Sequence, residues 1–320
     1  MLHPAKKYVL FLMRTAISAA IIVFLGYKID VSHVFEKIIE SKFEFFIILG
    51  AIDLAAYFLR ALRWQIVLRI WDIHVSTALL FIYLQGGRIF DYLLPSSIGG
   101  DVYRVYLSAK KSNSTSKAVL GIVLDRLTGM SAGFILAGIG VAILYLKKIS
   151  VPHMIVVLVF IAVWFILMGI LFSPKLELMV EAASTRSAFW AKLNTFFSSM
   201  VIARSNPRQV IYALLISFFI KSQEIFVAYF VSHALGLSVP FLYCMAFVPV
   251  IGFIIVAPVS ISGIGVRESL YIFFFTAIGL TMTQAFSLSI TVFAWMACMG
   301  AAGGSLYLLW WTFSSHKKSQ

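Results

Sequence analysis

The sequence predicts an all-α polytopic integral membrane protein, and three observations predict it. Hydrophobic residues make up 61% of the chain and charged ones only 12%, with a mean hydropathy of +0.97; soluble domains carry about 25% charge. Apolar runs of about 20 residues, the length that crosses a bilayer core, recur throughout. Basic residues collect between alternate runs, as expected of loops on the cytoplasmic side. The 320 residues are therefore read as a single transmembrane domain, 1–320, with about eight transmembrane helices. The net charge of +13 fits contact with anionic lipid headgroups and does not call for nucleic acid. Cys244 and Cys298 lie in apolar runs and the histidines are scattered, so no metal and no cofactor are expected.

Span one is expected from about Tyr8 to Lys28, uncleaved, with the N-terminus in the cytoplasm. The loop Asp30 to Glu44 is biased to acid and suits the outer side. Span two runs from about Phe45 to Trp64, with Arg60, Arg63 and Arg69 at its inner end. The segment Ala78 to Ala109 is too interrupted for two full spans, and basic residues follow it at Lys110, Lys111 and Lys117. It reads as a re-entrant pair of half-helices with its tip near Pro95 to Asp101, although two tilted spans would also fit. Spans three, four and five are expected at about Ala118 to Leu146, Pro152 to Phe172 and Gln209 to Leu235. Between the last two, aromatic and aliphatic residues at helical spacing predict a cytoplasmic interfacial helix within Ser173 to Arg208. Span six (Phe241 to Ala257) leads into a Gly/Pro-broken segment near 257–269. Span seven (Val266 to Leu280) and span eight (Gln284 to Trp311) then bring a basic tail, Lys317 and Lys318, back to the cytoplasm.

Two broken stretches organise the functional reading. Asp91 to Arg104 carries Pro95, Gly100, Asp101 and Arg104; Ala257 to Ser269 carries Pro258, Gly263, Gly265, Arg267 and Glu268. Irregular backbone is costly against lipid, so such stretches line a cavity or lie at the surface. Paired Gly/Pro interruptions, one in each half of a chain, point to the central site of a transporter. The first stretch could instead be a surface turn before an amphipathic helix.

Charged residues within the spans are costly and tend to face the interior in pairs. Arg60 and Arg63 either reach a headgroup or snorkel to the interface. Asp125 and Arg126 are adjacent and so point about 100° apart on a helix. Each therefore needs a partner elsewhere, with Asp91 or Asp101 available for Arg126. Lys221 and Glu224 are three apart, neighbours on one helix face, and serve either a transport path or packing. Trp310 and Trp311 read as interface anchors.

The order Leu59-Arg60-Ala61-Leu62-Arg63-Trp64, then Leu94-Pro95 to Gly100-Asp101 with Arg104, then Asp125-Arg126, then Pro258 to Gly263-Ile264-Gly265-Val266-Arg267-Glu268 resembles the lysylphosphatidylglycerol synthase transmembrane (flippase-like) family. The resemblance runs over nearly the whole chain, and Gly-Ile-Gly-Val-Arg-Glu is its most specific part. It implies lipid handling or flipping in the bacterial inner membrane without naming the lipid. Where relatives often carry Asn before the Leu-Pro, this chain has Asp91. No soluble aminoacyl-transferase domain is expected within these residues, so the synthase activity is not implied.

The leading expectation is a non-enzymatic translocator of an anionic, aminoacylated, isoprenoid-type or glyco-modified lipid. Arg60, Arg104, Arg126 and Arg267 would contact the phosphate, for which a guanidinium fork is suited. The alternatives are a membrane-embedded transferase using Asp101 or Asp125 as base or metal ligand, and an accessory subunit of a lipid-biosynthesis enzyme.

Overall fold

The computed structural model describes residues 43–93, 99–150, 153–185, 187–257 and 260–316. Within them the chain forms eleven helices: α1 (Phe43–Arg69), α2 (Thr77–Leu93), α3 (Gly99–Ser112), α4 (Thr115–Leu146), α5 (Met154–Leu171), α6 (Pro174–Ala183), α7 (Ala188–Arg204), α8 (Pro207–Ala234), α9 (Phe241–Val256), α10 (Val266–Thr276) and α11 (Met282–His316). No strand occurs among the described residues. The expected first span, the acidic loop to residue 42, Pro95, Pro258 and the basic tail from 317 lie outside the described residues.

Helices α4, α5, α8 and α11 are long and apolar enough to cross a membrane. They match the expected third, fourth, fifth and eighth spans. Helix α5 is the most exposed of the four, with 11% of its apolar window buried against 50% for α4. Its unsatisfied apolar surface is what a bilayer would cover. Helix α1 extends five residues beyond the expected Trp64, to Arg69. Arg60 and Arg63 therefore sit inside a helix rather than at its end.

Both broken stretches separate short helices. Helices α2 and α3 have 17 and 14 residues, about 26 and 21 Å at 1.5 Å per residue, short of a 30 Å hydrocarbon core. This is the length expected of half-helices. The second pair, α9 and α10, has 16 and 11 residues. The expected seventh span thus contracts to a helix of about 16 Å. It starts only after Gly265, at φ 86°, and ends before Gly279, at φ 105°. The expected interfacial helix is two helices, α6 and α7. Ser187 caps α7 by accepting from the Trp190 backbone N–H, and Glu177 of α6 pairs with Arg204 of α7 at 3.1 Å. Leu178, Met179 and Phe189 are exposed on this pair, as an interfacial role requires.

Helix α4 is the hub. It packs on α1, α3, α5, α8 and α9. Ser114 caps it, accepting from the Lys117 N–H. Small residues on α4 admit its neighbours: a Cβ on Gly140 would stand 3.1 Å from the Ala246 backbone nitrogen of α9. Close approach of backbones through small residues is the usual packing device where lipid offers no hydrophobic drive. Two buried clusters fill the rest. Phe134, Phe247, Phe274 and Phe275 centre one, and Trp64, Leu68, Ile73 and Leu124 the other. Phe134 of the first and Leu84 of the second line one cavity together with the ionic side chains.

Candidate functional site

Six helices, α1, α2, α3, α4, α8 and α9, line a partly open cavity of about 170 Å³. A buried water needs only about 10–15 Å³ by the same kind of measure. Charged residues from five of these helices line it.

The deepest interaction is centred on Asp125 of α4, which is 2% exposed. Arg63 of α1 grips it in bidentate fashion: Nε donates to Oδ1 at 2.7 Å and Nη2 to Oδ2 at 3.0 Å. Its remaining Nη1 donates to Ser217 Oγ on α8 at 2.9 Å. Arg104 of α3 reaches the same carboxylate, Nη2 to Oδ2 at 2.8 Å, and bonds Asp101 through Nη1 at 3.1 Å. Arg126 completes the chain by donating from Nε to Asp101 Oδ2 at 2.6 Å. Adjacent on α4, Asp125 and Arg126 thus face different partners, and Asp101, one of the two expected for Arg126, pairs with it. Three guanidiniums and two carboxylates form one network across α1, α3 and α4.

A second group stands opposite on α8. Glu224 accepts from Arg60 Nη2 at 3.0 Å and from Lys221 Nζ at 2.6 Å. A third, Arg88 with Asp53, tethers α2 to α1 at 2.6 Å. Arg88 also donates to the Met299 carbonyl of α11 at 2.8 Å and lies 3.4 Å over the Tyr57 ring. Arg60 stacks on that ring from 4.7 Å, so Tyr57 is shared by two cations. Cation–π contact of this kind is worth about 0.5–2 kcal/mol, more when dry. Arg104 lies similarly over Trp64 at 4.3 Å.

The backbone makes room for these side chains. A Cβ at Gly129 would come within 2.9 Å of Arg63 Nη1, so only glycine lets that guanidinium lie flat against α4. Gly252 on α9 lines the cavity and has nothing within 4 Å of where its Cβ would be; its missing side chain is part of the void. Along α4 the lining begins with Asp125 and Arg126 and continues as Gly129, Met130, Gly133 and Phe134. One turn is charged and the next two are not. Pro249, Phe253 and Val256 of α9 add to the apolar part.

Nine of the fifteen residues expected at the site meet at this cavity: Arg60, Arg63, Gly100, Asp101, Arg104, Asp125, Arg126, Lys221 and Glu224. Snorkelling does not describe Arg63, which is 8% exposed and fully engaged. Gly263, Gly265, Arg267 and Glu268 are not among its lining. They close on themselves. Ser262, Gly263 and Gly265 all have positive φ, and a Cβ at Gly263 would strike Ile255 Cγ2 at 2.3 Å. Arg267 donates to the Ser262 carbonyl at 2.8 Å and stacks on Phe293 at 4.3 Å. Glu268, 1% exposed, accepts from the Gly265 N–H at 2.5 Å and from Ser289 Oγ at 3.4 Å. The element with the most specific sequence is thus a capped turn that seats α10 on α11. Arg267 does not line the cavity.

Tyr57, Ser217 and Gly129 escape the sequence reading, as does the pairing of Arg88 with Asp53. Tyr57 stands one turn before Arg60 and Ser217 one turn before Lys221, so helical spacing from a charged residue was the available signal. Neither a curated protein nor a solved structure matches the chain. Residues 11–304 match the family described as the lysylphosphatidylglycerol synthase TM region. With that match over nearly the whole chain and the membrane-crossing helices above, this is a membrane protein in a lipid-related setting, and it belongs to the lysylphosphatidylglycerol synthase transmembrane-region family.

Proposed function

We propose that the chain binds an anionic lipid by its headgroup in the central cavity and carries it between leaflets of the cell membrane, without catalysing covalent chemistry. The observation that carries this reading is the composition of one wall: on α4 a charged turn (Asp125, Arg126) continues directly into an apolar one (Met130, Phe134). A headgroup and the start of its acyl chains present the same sequence of polarity. Guanidinium forks suit phosphate oxygens, and anionic lipids are the abundant phosphate-bearing partners of a basic membrane protein. The family supplies a lipid setting that agrees with this.

A transferase reading is less well supported. Asp125 accepts from two arginines, Arg63 and Arg104, and Asp101 from Arg104 and Arg126. Both carboxylates are thus taken up in ion pairs that join α1, α3 and α4.

Translocation of fluorescent phosphatidylglycerol in proteoliposomes tests the proposal, comparing the native chain with Gly252→Trp. The indole fills the apolar half of the cavity from a position with open space around it. The expected result is transfer by the native protein and at least about a tenfold loss in the variant, the loss that follows from ~1.4 kcal/mol. Equal rates in two equally folded proteins would refute the cavity as the path.

A further inference from the structure

The seam between α4 and α9 is tight along one part of its length and looser along another. A Cβ on Gly140 would stand 3.1 Å from the Ala246 backbone nitrogen, and one on Gly133 would stand 3.3 Å from Pro249 Cβ. These two contacts also fix the direction: a step toward the start of α4 is a step toward the end of α9. Continued by one turn and then another, this antiparallel register sets Met130 at the level of Phe253 and Arg126 at that of Val256. All four line the cavity. Of the apolar side chains around it, Met130, Phe253 and Val256 are half-buried, and the others, such as Phe134 and Ile220, are buried.

Phe253 stands in the looser part. Its ring centroid lies 5.0 Å from that of Phe134 on α4, and 5.5 and 6.0 Å from those of Trp164 and Phe160 on α5. Trp164 is itself fixed, donating from Nε1 to Ser131 Oγ at 3.1 Å. Phe253 thus touches both the cavity and α5, the most exposed of the crossing helices. The helix end that carries it is weakly joined to the rest of α9. Pro249 has no N–H to donate to the Met245 carbonyl, and Gly252 has nothing within 4 Å of its Cβ direction. Bends in helices localise at prolines and glycines of this kind. Burial changes at the same place: Pro249, Val250 and Ile251 are buried, and residues 252–256 are half-buried.

Resting on the reading of the cavity as a lipid-headgroup site, we infer that the lipid's acyl chains leave it sideways through the α4–α9 seam, across Met130 and Val256, and that Phe253 is the ring that turns aside to admit them. The cavity of about 170 Å³ is smaller than the roughly 300–1,000 Å³ of a site for a drug-sized ligand. It takes a headgroup and not two acyl chains, so the chains lie outside it. The seam offers them apolar surface continuous with the cavity wall, which keeps their methylenes out of water. Rotation at Pro249 and Gly252 moves Phe253 without disturbing the tight contacts at Gly133 and Gly140.

The test is photolabelling of the full chain in phosphatidylcholine vesicles. The probe is a trace of phosphatidylglycerol with a diazirine near the head of one acyl chain, and peptide mass spectrometry locates the labelled residues. The host lipid is then exchanged for phosphatidylglycerol at the same fraction of probe. Label is expected at Met130, Phe253 or Val256, falling about fivefold or more in the phosphatidylglycerol host. Label at Ile166, on the exposed face of α5, reports the bulk bilayer and should stay constant. Phe253→Trp keeps a ring against α5 and fills more of the seam. It should remove the competed label at Met130 yet bind glycerophosphoglycerol, the same headgroup without chains, within about twofold of the native chain. Loss of both in Phe253→Trp would make Phe253 a packing residue and overturn the gate, as would competed label retained at Met130. Competed label at Ile220 or Leu84 in place of the seam would overturn the exit route and leave the lipid-headgroup reading standing. Label at Ile166 alone, unaltered by the host, would overturn the headgroup reading and the exit with it.

Discussion

Arg63 and Asp125 share two parallel hydrogen bonds, 2.7 and 3.0 Å, between α1 and α4. This pair joins the cavity to the fold: Arg63 is held from α8 by Ser217, and Asp125 is held from α3 by Arg104. Four helices converge on one carboxylate, so the site and the packing of the bundle cannot be separated there.

Removing one partner would leave a buried charge without its mate. Asp125→Ala is expected to cost about 3–5 kcal/mol, read as a lowered midpoint in denaturant unfolding of the detergent-solubilised protein. Arg126→Ala, whose side chain is 35% exposed, is expected to cost about 1 kcal/mol or less. Similar losses for the two would contradict the buried centre.

The same carboxylate depends on the absence of a side chain at Gly129. Gly129→Leu should displace the Arg63 guanidinium, which lies 2.9 Å from the Cβ position. The expected result is destabilisation of about 2 kcal/mol or more by overpacking, together with weakened binding of anionic lipid. If Gly129→Leu unfolds at the native midpoint, Arg63 is not confined as described.

Gly252 provides the contrast. Its Cβ direction is open and it lies inside helix α9, so Gly252→Ala should raise stability by up to about 1 kcal/mol through helix propensity. Thermal unfolding in detergent measures this. A loss of stability would mean the space is already filled.

Arg267→Ala separates the second broken stretch from the cavity. The variant loses the bond to the Ser262 carbonyl and the stack on Phe293. It should unfold at a lower temperature, by the equivalent of about 1–3 kcal/mol, yet bind anionic lipid per folded molecule as the native chain does. Loss of binding with stability intact would return Arg267 to the site.

Glu224→Gln should act in the opposite direction to charge removal elsewhere. It adds one net positive charge beside Arg60 and Lys221 while keeping a hydrogen-bond acceptor. Anionic lipid should bind several-fold more tightly and dissociate more slowly, slowing translocation. Weaker binding would show that Glu224 positions the two cations rather than balancing them.

The sequence by itself determined the membrane class and most of the long helices, because apolar runs of bilayer length have few other stable fates. It also marked eight charged residues around the cavity, since a charge within such a run must find a partner or a polar space. Tertiary structure decided which charges meet. Arg63 and Asp125 are 62 positions apart, and Arg60 and Glu224 are 164 apart. Nothing local distinguishes those partners from Asp53 on the same helix as the arginines, which pairs instead with Arg88. The second broken stretch shows the converse. Its Gly-Ile-Gly-Val-Arg-Glu carries the strongest local signal in the chain, yet packing sets Arg267 and Glu268 on the stretch's own backbone and α11, and neither lines the cavity. Spacing along a helix specifies a face, and only the arrangement of neighbouring helices settles what that face meets.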